Sequence, residues 1–297
     1  MTAASPTANE TTGVAIDAAL ADAIGGREEQ QDRGIILGDG PSRMLVVADG
    51  LGGHRDGARA AELVAETASQ AWRNAAGDID DAQAFLEGVR DAAHAAIAEL
   101  AENRDRAPMS TCIMLYLDAR RASWVWVGDS RLYRFRDGRM VARTKDHSVA
   151  QMLLDEGHIT EDEMATRPEQ SQLLSALGGD KPPVAATGIA KVSDGDGFVL
   201  CSDGFWETIQ PTEVAAALAE PDLQAATRDL VALAAERGGP KGDNITAALA
   251  RVSVPAARDK GGWGQLFDIP TRISETLTDA VRRNIGAASS RDKETGK

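Results

Sequence analysis

A chain of 297 residues, 43% hydrophobic and 26% charged, is long enough to bury a core without staples and too apolar for wholesale disorder. Its 46 Asp and Glu against 32 Lys and Arg leave a formal charge of -14, which excludes general nucleic-acid binding through phosphate neutralisation. Its two cysteines, Cys112 and Cys201, sit inside apolar runs, which excludes a disulfide framework and reads as buried thiols in a reducing compartment.

Residues 1–12 (MTAASPTANETT) carry neither a basic nor an apolar stretch, so they read as a flexible N-terminus and no signal peptide is expected. No apolar run approaches the roughly 18–20 residues that span a bilayer, so the expected location is the cytoplasm. Strand-like runs follow at 34–37 and 44–48, then helical periodicity at 57–74 and 81–103 with no strand between. Three strand runs come next, at 111–117, 123–127 and 131–135, and two more at 198–201 and 245–252. Helices are predicted over 211–219 and 222–237. Several strand runs are continuously apolar, which predicts a sheet covered on both faces. Their clustering argues for antiparallel sheets with helices packed outside and against strict βαβ alternation. Residues 148–179 read as two short helices with polar loop, a candidate flap.

Composition shifts near Pro255: the stretch 255–297 holds eight Lys/Arg and six Asp/Glu, net +2, leaving -16 on residues 1–254. Within it Ile273, Leu277, Val281 and Ile285 recur every four residues and predict an amphipathic helix over 271–285. The expected organisation is one domain over 13–254 with this tail behind it.

An acidic residue recurs where apolar runs end. Leu45–Val47 leads into Asp49–Gly50, Trp124–Val127 into Asp129, Val199–Cys201 into Asp203–Gly204, and a glycine-rich loop delivers Asp243 before the last strand run. Each Asp-Gly alone has a plain explanation as a turn. Two do not sit in hairpins: Asp49–Gly50 and Asp203–Gly204 are each followed by helical sequence. Carboxylates converging at strand ends repel one another unless cations lie between them. Oxygen donors without His or Cys spacing point to Mg2+ or Mn2+ and away from zinc. The four histidines, His54, His94, His147 and His158, form no chelating pair.

With these motifs in view the chain resembles the metal-dependent Ser/Thr protein phosphatases of the PP2C (PPM) type in their compact bacterial form. The resemblance runs from about residue 14 to 254 through REEQQD at 27–32, VVADGLGGH at 46–54, MSTC at 109–112, WVGDSRLYRFRDG at 126–138, TKDHS at 144–148, LLSALGG at 173–179, LCSDGFWE at 200–207 and GDNIT at 242–246. A single DG or GDS carries no weight; eight segments in order do. The resemblance implies an α+β fold, a four-layer α-β-β-α sandwich of two antiparallel sheets flanked by helices, with metals at one end between them.

The resemblance further implies two Mn2+ or Mg2+ ions in a core site, with a third often held by bacterial members. Asp49 would bridge the two ions, the Gly50 carbonyl would complete one shell, and Asp203 and Asp243 would bind the other ion. Asp129 would help hold the third alongside Asp203, Asp32 would orient a metal-bound water, and Arg27 would grip phosphate with its planar fork. The implied reaction is hydrolysis of phosphoserine and phosphothreonine in proteins by a metal-activated water, without a phospho-enzyme, opposing a bacterial Ser/Thr kinase. The implied partners are phosphorylated proteins and a cognate kinase, and the expected state is a monomer. Against the usual pattern, Leu51 stands where animal relatives carry a His after the Asp-Gly, Gln31 stands where many have Glu, and Ser110 replaces a Gly. His147 reads either as a contact near the site or as a structural hydrogen-bonding group. The alternative function is an inactive phosphatase-like module that binds a phosphoprotein or regulator.

Overall fold

The computed structural model describes residues 14–51, 55–76, 79–100, 107–164 and 172–253. The N-terminal stretch 1–12, His54, part of the flap and the helix expected over 271–285 lie outside them.

Among the described residues, eleven strands fall in two sheets whose pairings are all antiparallel. One sheet joins β2 (Asp32–Leu37), β3 (Arg43–Leu51), β5 (Cys112–Leu117), β6 (Arg121–Val127) and β9 (Ala186–Lys191) in that order, with the short β4 (Met109–Ser110) paired to the end of β3. The other has the order β1 (Ala15–Ala23), β11 (Ile245–Ser253), β10 (Gly197–Cys201), β7 (Arg131–Arg136) and β8 (Arg139–Arg143).

The period of two along each strand sorts side chains into three apolar layers. On β5, Cys112, Met114 and Tyr116 pack toward α1 (Arg55–Ala75) and α2 (Ala82–Ala98), while Ile113, Leu115 and Leu117 point into the layer between the sheets. On β10, Phe198 and Leu200 enter that same middle layer, and Val199 and Cys201 face α5 (Asp203–Trp206), α6 (Pro211–Ala219) and α7 (Leu223–Gly238). Both faces of the central strands are therefore covered, which is why they read as unbroken apolar runs. The result is the expected α-β-β-α sandwich.

Local chemistry sets the helix ends. The Asp81 carboxylate caps α2 by accepting from the N–H groups of Gln83 and Ala84, both at 3.1 Å, and Asp222 caps α7 through Ala225 N–H at 2.9 Å. Pro211 opens α6, where its missing N–H costs nothing. Helix α2 stops at Ala98, short of the predicted 103. Four strands, β1, β4, β8 and β9, lie outside the predicted runs. β1 reads AIDAALADA, a composition poor in β-formers, and it is a strand because all nine of its residues pair with β11. The flap sequence forms two short helices, α3 (Val149–Asp155) and α4 (Glu161–Met164). Its base is tied by isolated bridges between Ser148 and Leu173 and between Ser110 and Leu177.

Candidate active site

One end of the sandwich collects strand termini from both sheets, and the acidic residues singled out in the sequence are those termini. Asp32 opens β2 and stands directly opposite Asp49 in the register of β2 with β3. Two like charges in such a pair repel. The Asp49 backbone is pinned: its N–H donates to Thr111 Oγ1 at 2.9 Å, and its carbonyl accepts from Thr111 N–H at 2.8 Å and Ser110 Oγ at 3.0 Å. Ser110, which replaces the usual Gly, thus holds an acid-bearing backbone. At Gly50 a Cβ would lie 2.0 Å from the Gly57 carbonyl oxygen, so only glycine lets the start of α1 approach so closely.

Asp203 follows β10 at the first position of α5, and its Oδ1 accepts from Gly204 N–H at 2.7 Å. Asp243 follows a 3-10 turn, Gly239–Lys241, and precedes β11. Its Oδ1 accepts from Asn244 N–H at 2.8 Å and its Oδ2 from the Arg27 guanidinium at 2.5 Å. The Arg27 loop lies against this turn: Gly25 has φ +62°, and a Cβ there would sit 2.0 Å from the Asp243 carbonyl oxygen. Asn244 staples the same loop, accepting from Gln31 N–H at 2.8 Å and donating to the carbonyls of Ile24 and Glu29 at 2.9 and 3.0 Å. The Arg27 side chain stays 58% exposed, open to a ligand.

Burial and mutual repulsion dominate the electrostatics. Asp49 is held well above the ordinary carboxylate range, first by burial and then by Asp32, Asp203, Asp129 and Asp243. Asp203 is raised likewise by burial, then by Asp129, Asp243 and Asp32. Asp32, only 2% exposed, is pushed up to about 7 by burial even though Ser202 Oγ donates to its Oδ2 at 2.6 Å. The Thr246 hydroxyl also lowers the Asp32 pKa as a neighbour, though neither Asp32 Oδ1 nor Thr246 Oγ1, both buried, has a partner in good hydrogen-bond geometry among the described residues. Asp129, in the turn between β6 and β7, is raised by burial and by Asp146, with Arg131 opposing. The structure thus brings Asp32, Asp49, Asp129, Asp203 and Asp243 into one electrostatic neighbourhood, with Arg27 as a cation at its rim.

Glu207 joins them unforeseen: its charge raises both Asp129 and Asp203, and burial and Asp243 raise its own carboxyl. The available signal was its position in LCSDGFWE, one helical turn after Asp203. Among the described residues, no three carboxylate, imidazole or thiol side chains gather around one point, and oxygens of Asp203 and Asp243 are turned to backbone N–H groups and Arg27. The donor set is nonetheless all oxygen, with an orphaned Asp32 oxygen buried within it, and this suits a hard divalent cation.

His147 is structural. Its ring is buried and stacked on Trp126, its Nδ1 accepts from Gly128 N–H at 3.2 Å, and burial lowers its pKa to about 4, so it is neutral near pH 7. Cys112 and Cys201 are buried free thiols whose pKa values burial pushes up, the reverse of what a nucleophile requires.

Comparison with known proteins agrees with this picture. A model of the protein phosphatase 2C family matches residues 23–238. The serine/threonine protein phosphatase PstP of Mycobacterium tuberculosis is 33% identical over 231 residues, which are 75% of this chain and 44% of that protein, so the chain spans less than half the length of this relative. Among solved structures, the serine/threonine phosphatase of S. agalactiae superposes with a TM-score of 0.72 at 27% identity, over 80% of this chain and 99% of that one. The catalytic domain of PstP in complex with two manganese ions superposes with a TM-score of 0.68 at 29% identity, over 81% of this chain and 99% of that one. The chain belongs to the protein phosphatase 2C family.

Proposed function

We infer that the protein hydrolyses phosphoserine and phosphothreonine in other proteins, using Mn2+ or Mg2+ held by Asp49, the Gly50 carbonyl, Asp203 and Asp243, with Asp129 and Asp203 sharing a third ion. The observation that carries this reading is the gathering of acids at strand ends, Asp32 opposite Asp49 with Asp203 after β10 and Asp243 before β11, where burial and the neighbouring acids hold the Asp49 and Asp203 carboxyls above their ordinary range. Such a cluster is unfavourable by itself and favourable around hard cations. The two manganese ions of the related PstP domain support the number two. When bound, the ions supply a deprotonated water near neutral pH and positive charge facing the phosphoryl oxygens.

The chain's own residues do the rest. Arg27 spends one nitrogen on Asp243 and offers the others to phosphate, where the guanidinium fork makes two charge-assisted hydrogen bonds. Ionised Asp32 only accepts hydrogen bonds; with Ser202 fixing its Oδ2, its Oδ1 would accept a hydrogen bond from a water in the cluster and so orient it. Neither thiol takes part, and neutral His147, committed to Gly128, is not the proton donor to the leaving group. The substrates are products of Ser/Thr kinases, so a cognate kinase is the natural opponent. Residues 13–254 form the catalytic domain of a cytoplasmic monomer, with the flap over 148–179 bordering the substrate. No helix among the described residues is long and apolar enough to cross a membrane.

The test is hydrolysis of a phosphothreonine peptide by the purified full chain with Mn2+. Turnover is expected, with loss on chelation and in Asp203→Ala. Tight phosphopeptide binding without turnover in saturating Mn2+ would replace this reading with that of a binding module.

A further inference from the structure

One corner of the acidic cluster is held by a buried assembly that the hydrolysis does not itself use. Arg131, the first residue of β7, makes a two-pronged pair with Asp146, Nε to Oδ1 at 2.8 Å and a terminal nitrogen to Oδ2 at 2.7 Å, and a further donor reaches the Tyr133 hydroxyl at 3.2 Å. Its guanidinium carbon lies 3.4 Å from the centroid of the Trp206 ring. The Trp206 indole N–H donates to the Asp129 carbonyl at 3.0 Å. Trp206 closes α5, the helix that Asp203 opens. From the other side, His147 N–H donates to the Gly128 carbonyl at 2.9 Å while His147 Nδ1 accepts from Gly128 N–H at 3.2 Å. The turn carrying Asp129 is therefore gripped on both sides, once from the Lys145–Ser148 segment and once from α5.

A buried Asp–Arg pair is a poor way to add stability, because desolvation offsets the attraction and a well-packed apolar pair serves as well. What it supplies is orientation. Two parallel hydrogen bonds fix the guanidinium plane, the plane fixes the indole beneath it, and the indole fixes the Asp129 backbone. The chain of contacts runs Asp146, Arg131, Trp206, Asp129, and its third member shares a four-residue helix with Asp203.

The geometry points to Asp146, Arg131 and Trp206 as a positioning unit that sets the distance between Asp129 and Asp203, and thereby the affinity of the divalent cation these two carboxylates share. The inference rests on the reading above that they share one. Arg131 and Trp206 are positioning residues, since their polar contacts go to protein groups and not to substrate.

The experiment is calorimetric titration of the metal-stripped full chain with Mn2+. Trp206→Phe keeps a ring under Arg131 and removes the indole N–H. Binding at one site should fall about tenfold, with the other sites within about twofold and the metal-free thermal midpoint lowered by no more than the loss of one hydrogen bond brings. The Mn2+ concentration for half-maximal hydrolysis should rise by the same factor while KM for a phosphothreonine peptide holds. Asp146→Asn, which keeps shape and loses charge, should move the same site in the same direction, and it decides the matter if Trp206→Phe fails to fold. In an Asp129→Asn background Trp206→Phe should add nothing further, since the site it tunes is already gone. Wild-type affinity at every site in both variants, or undiminished weakening in the Asp129→Asn background, overturns the proposal. A wild-type chain that takes up no Mn2+ overturns the functional reading and this inference together; a wild-type chain that binds it beside variants that titrate identically sinks this inference alone.

Discussion

Strand β10 has an aspartate just beyond each end, Asp196 fully buried and Asp203 partly so, and the two live in opposite surroundings. Before the strand, the Asp196 side chain is fully buried and faces Arg134 at 3.0 Å, Arg136 at 2.6 Å and the Ser193 N–H at 2.9 Å. Burial pushes its pKa up, and the hydrogen bonds from Arg136 and Arg134 outweigh that, so the carboxyl sits below its ordinary value. After the strand, Asp203 meets burial and then Asp129, Asp243 and Asp32, and is driven far the other way. The fold can neutralise a buried acid from within, and at Asp196 it does so twice over. At Asp203 the neighbours are acids instead, and on the proposed function the counter-charge would be a bound divalent cation. Burial of an aspartate is thus common to structural and functional positions, and the identity of its neighbours separates them.

Exchanging side chains at the two positions should break this contrast most visibly. Asp203→Ala should reduce phosphopeptide hydrolysis to background while leaving the metal-free fold as stable as before or more so, as read by denaturant melts, because it removes a repelling charge. Asp196→Ala should do the reverse. It strands Arg134 in the interior and should cost about 3–5 kcal/mol of stability, with kcat of the remaining folded molecules retained.

The pH dependence of the metal-free protein sharpens the comparison. A carboxyl whose folded pKa lies above its unfolded value stabilises the fold below the unfolded pKa, and that stability is lost as pH rises through the folded pKa. With Asp32 raised from 3.8 to about 7, lowering the pH from 8 to 6 should increase stability by on the order of 1 kcal/mol from this group alone. Asp32→Asn should flatten the slope, and saturating Mn2+ should remove it. His147 acts in a separate window: its depressed pKa makes its contribution fully present above 6.5 and lost as pH falls toward 4. A metal-free stability that instead falls between pH 8 and 6 would contradict the charge cluster. The smallest effect is expected at Ser110→Ala, which deletes the hydroxyl on the Asp49 carbonyl and should cost about 1 kcal/mol in melts.

The layered architecture was legible in the sequence wherever strands have both faces covered, because β3, β5, β6, β10 and β11 announce themselves as apolar runs. β1 was not legible: alanine and aspartate carry no strand preference, and its pairing with β11 is a property of the tertiary fold. The acids of the site were readable as Asp-Gly steps at strand ends together with a family resemblance. Their supports were not, because Thr111, Ser202 and Asn244 reach their partners across 62, 170 and more than 200 residues of chain, and no local pattern encodes such contacts. Glu207 escaped notice for a related reason, since one more acid on a short helix means nothing until the fold sets Asp129 beside it. His147 could be read either way from sequence, and Trp126 and Gly128 decide it.

The order in which the acids leave the ribosome has a consequence for when the protein can act. Asp32 and Asp49 are made early and belong to one sheet, whereas Asp243 precedes β11, which is inserted between β1 and β10 and joins the first described strand to the rest of its sheet. A nascent chain lacking β11 has neither a finished second sheet nor a full set of acids. On the proposed function, catalytic competence would arise only once synthesis has passed residue 253, so unfinished chains would leave phosphoproteins around them untouched.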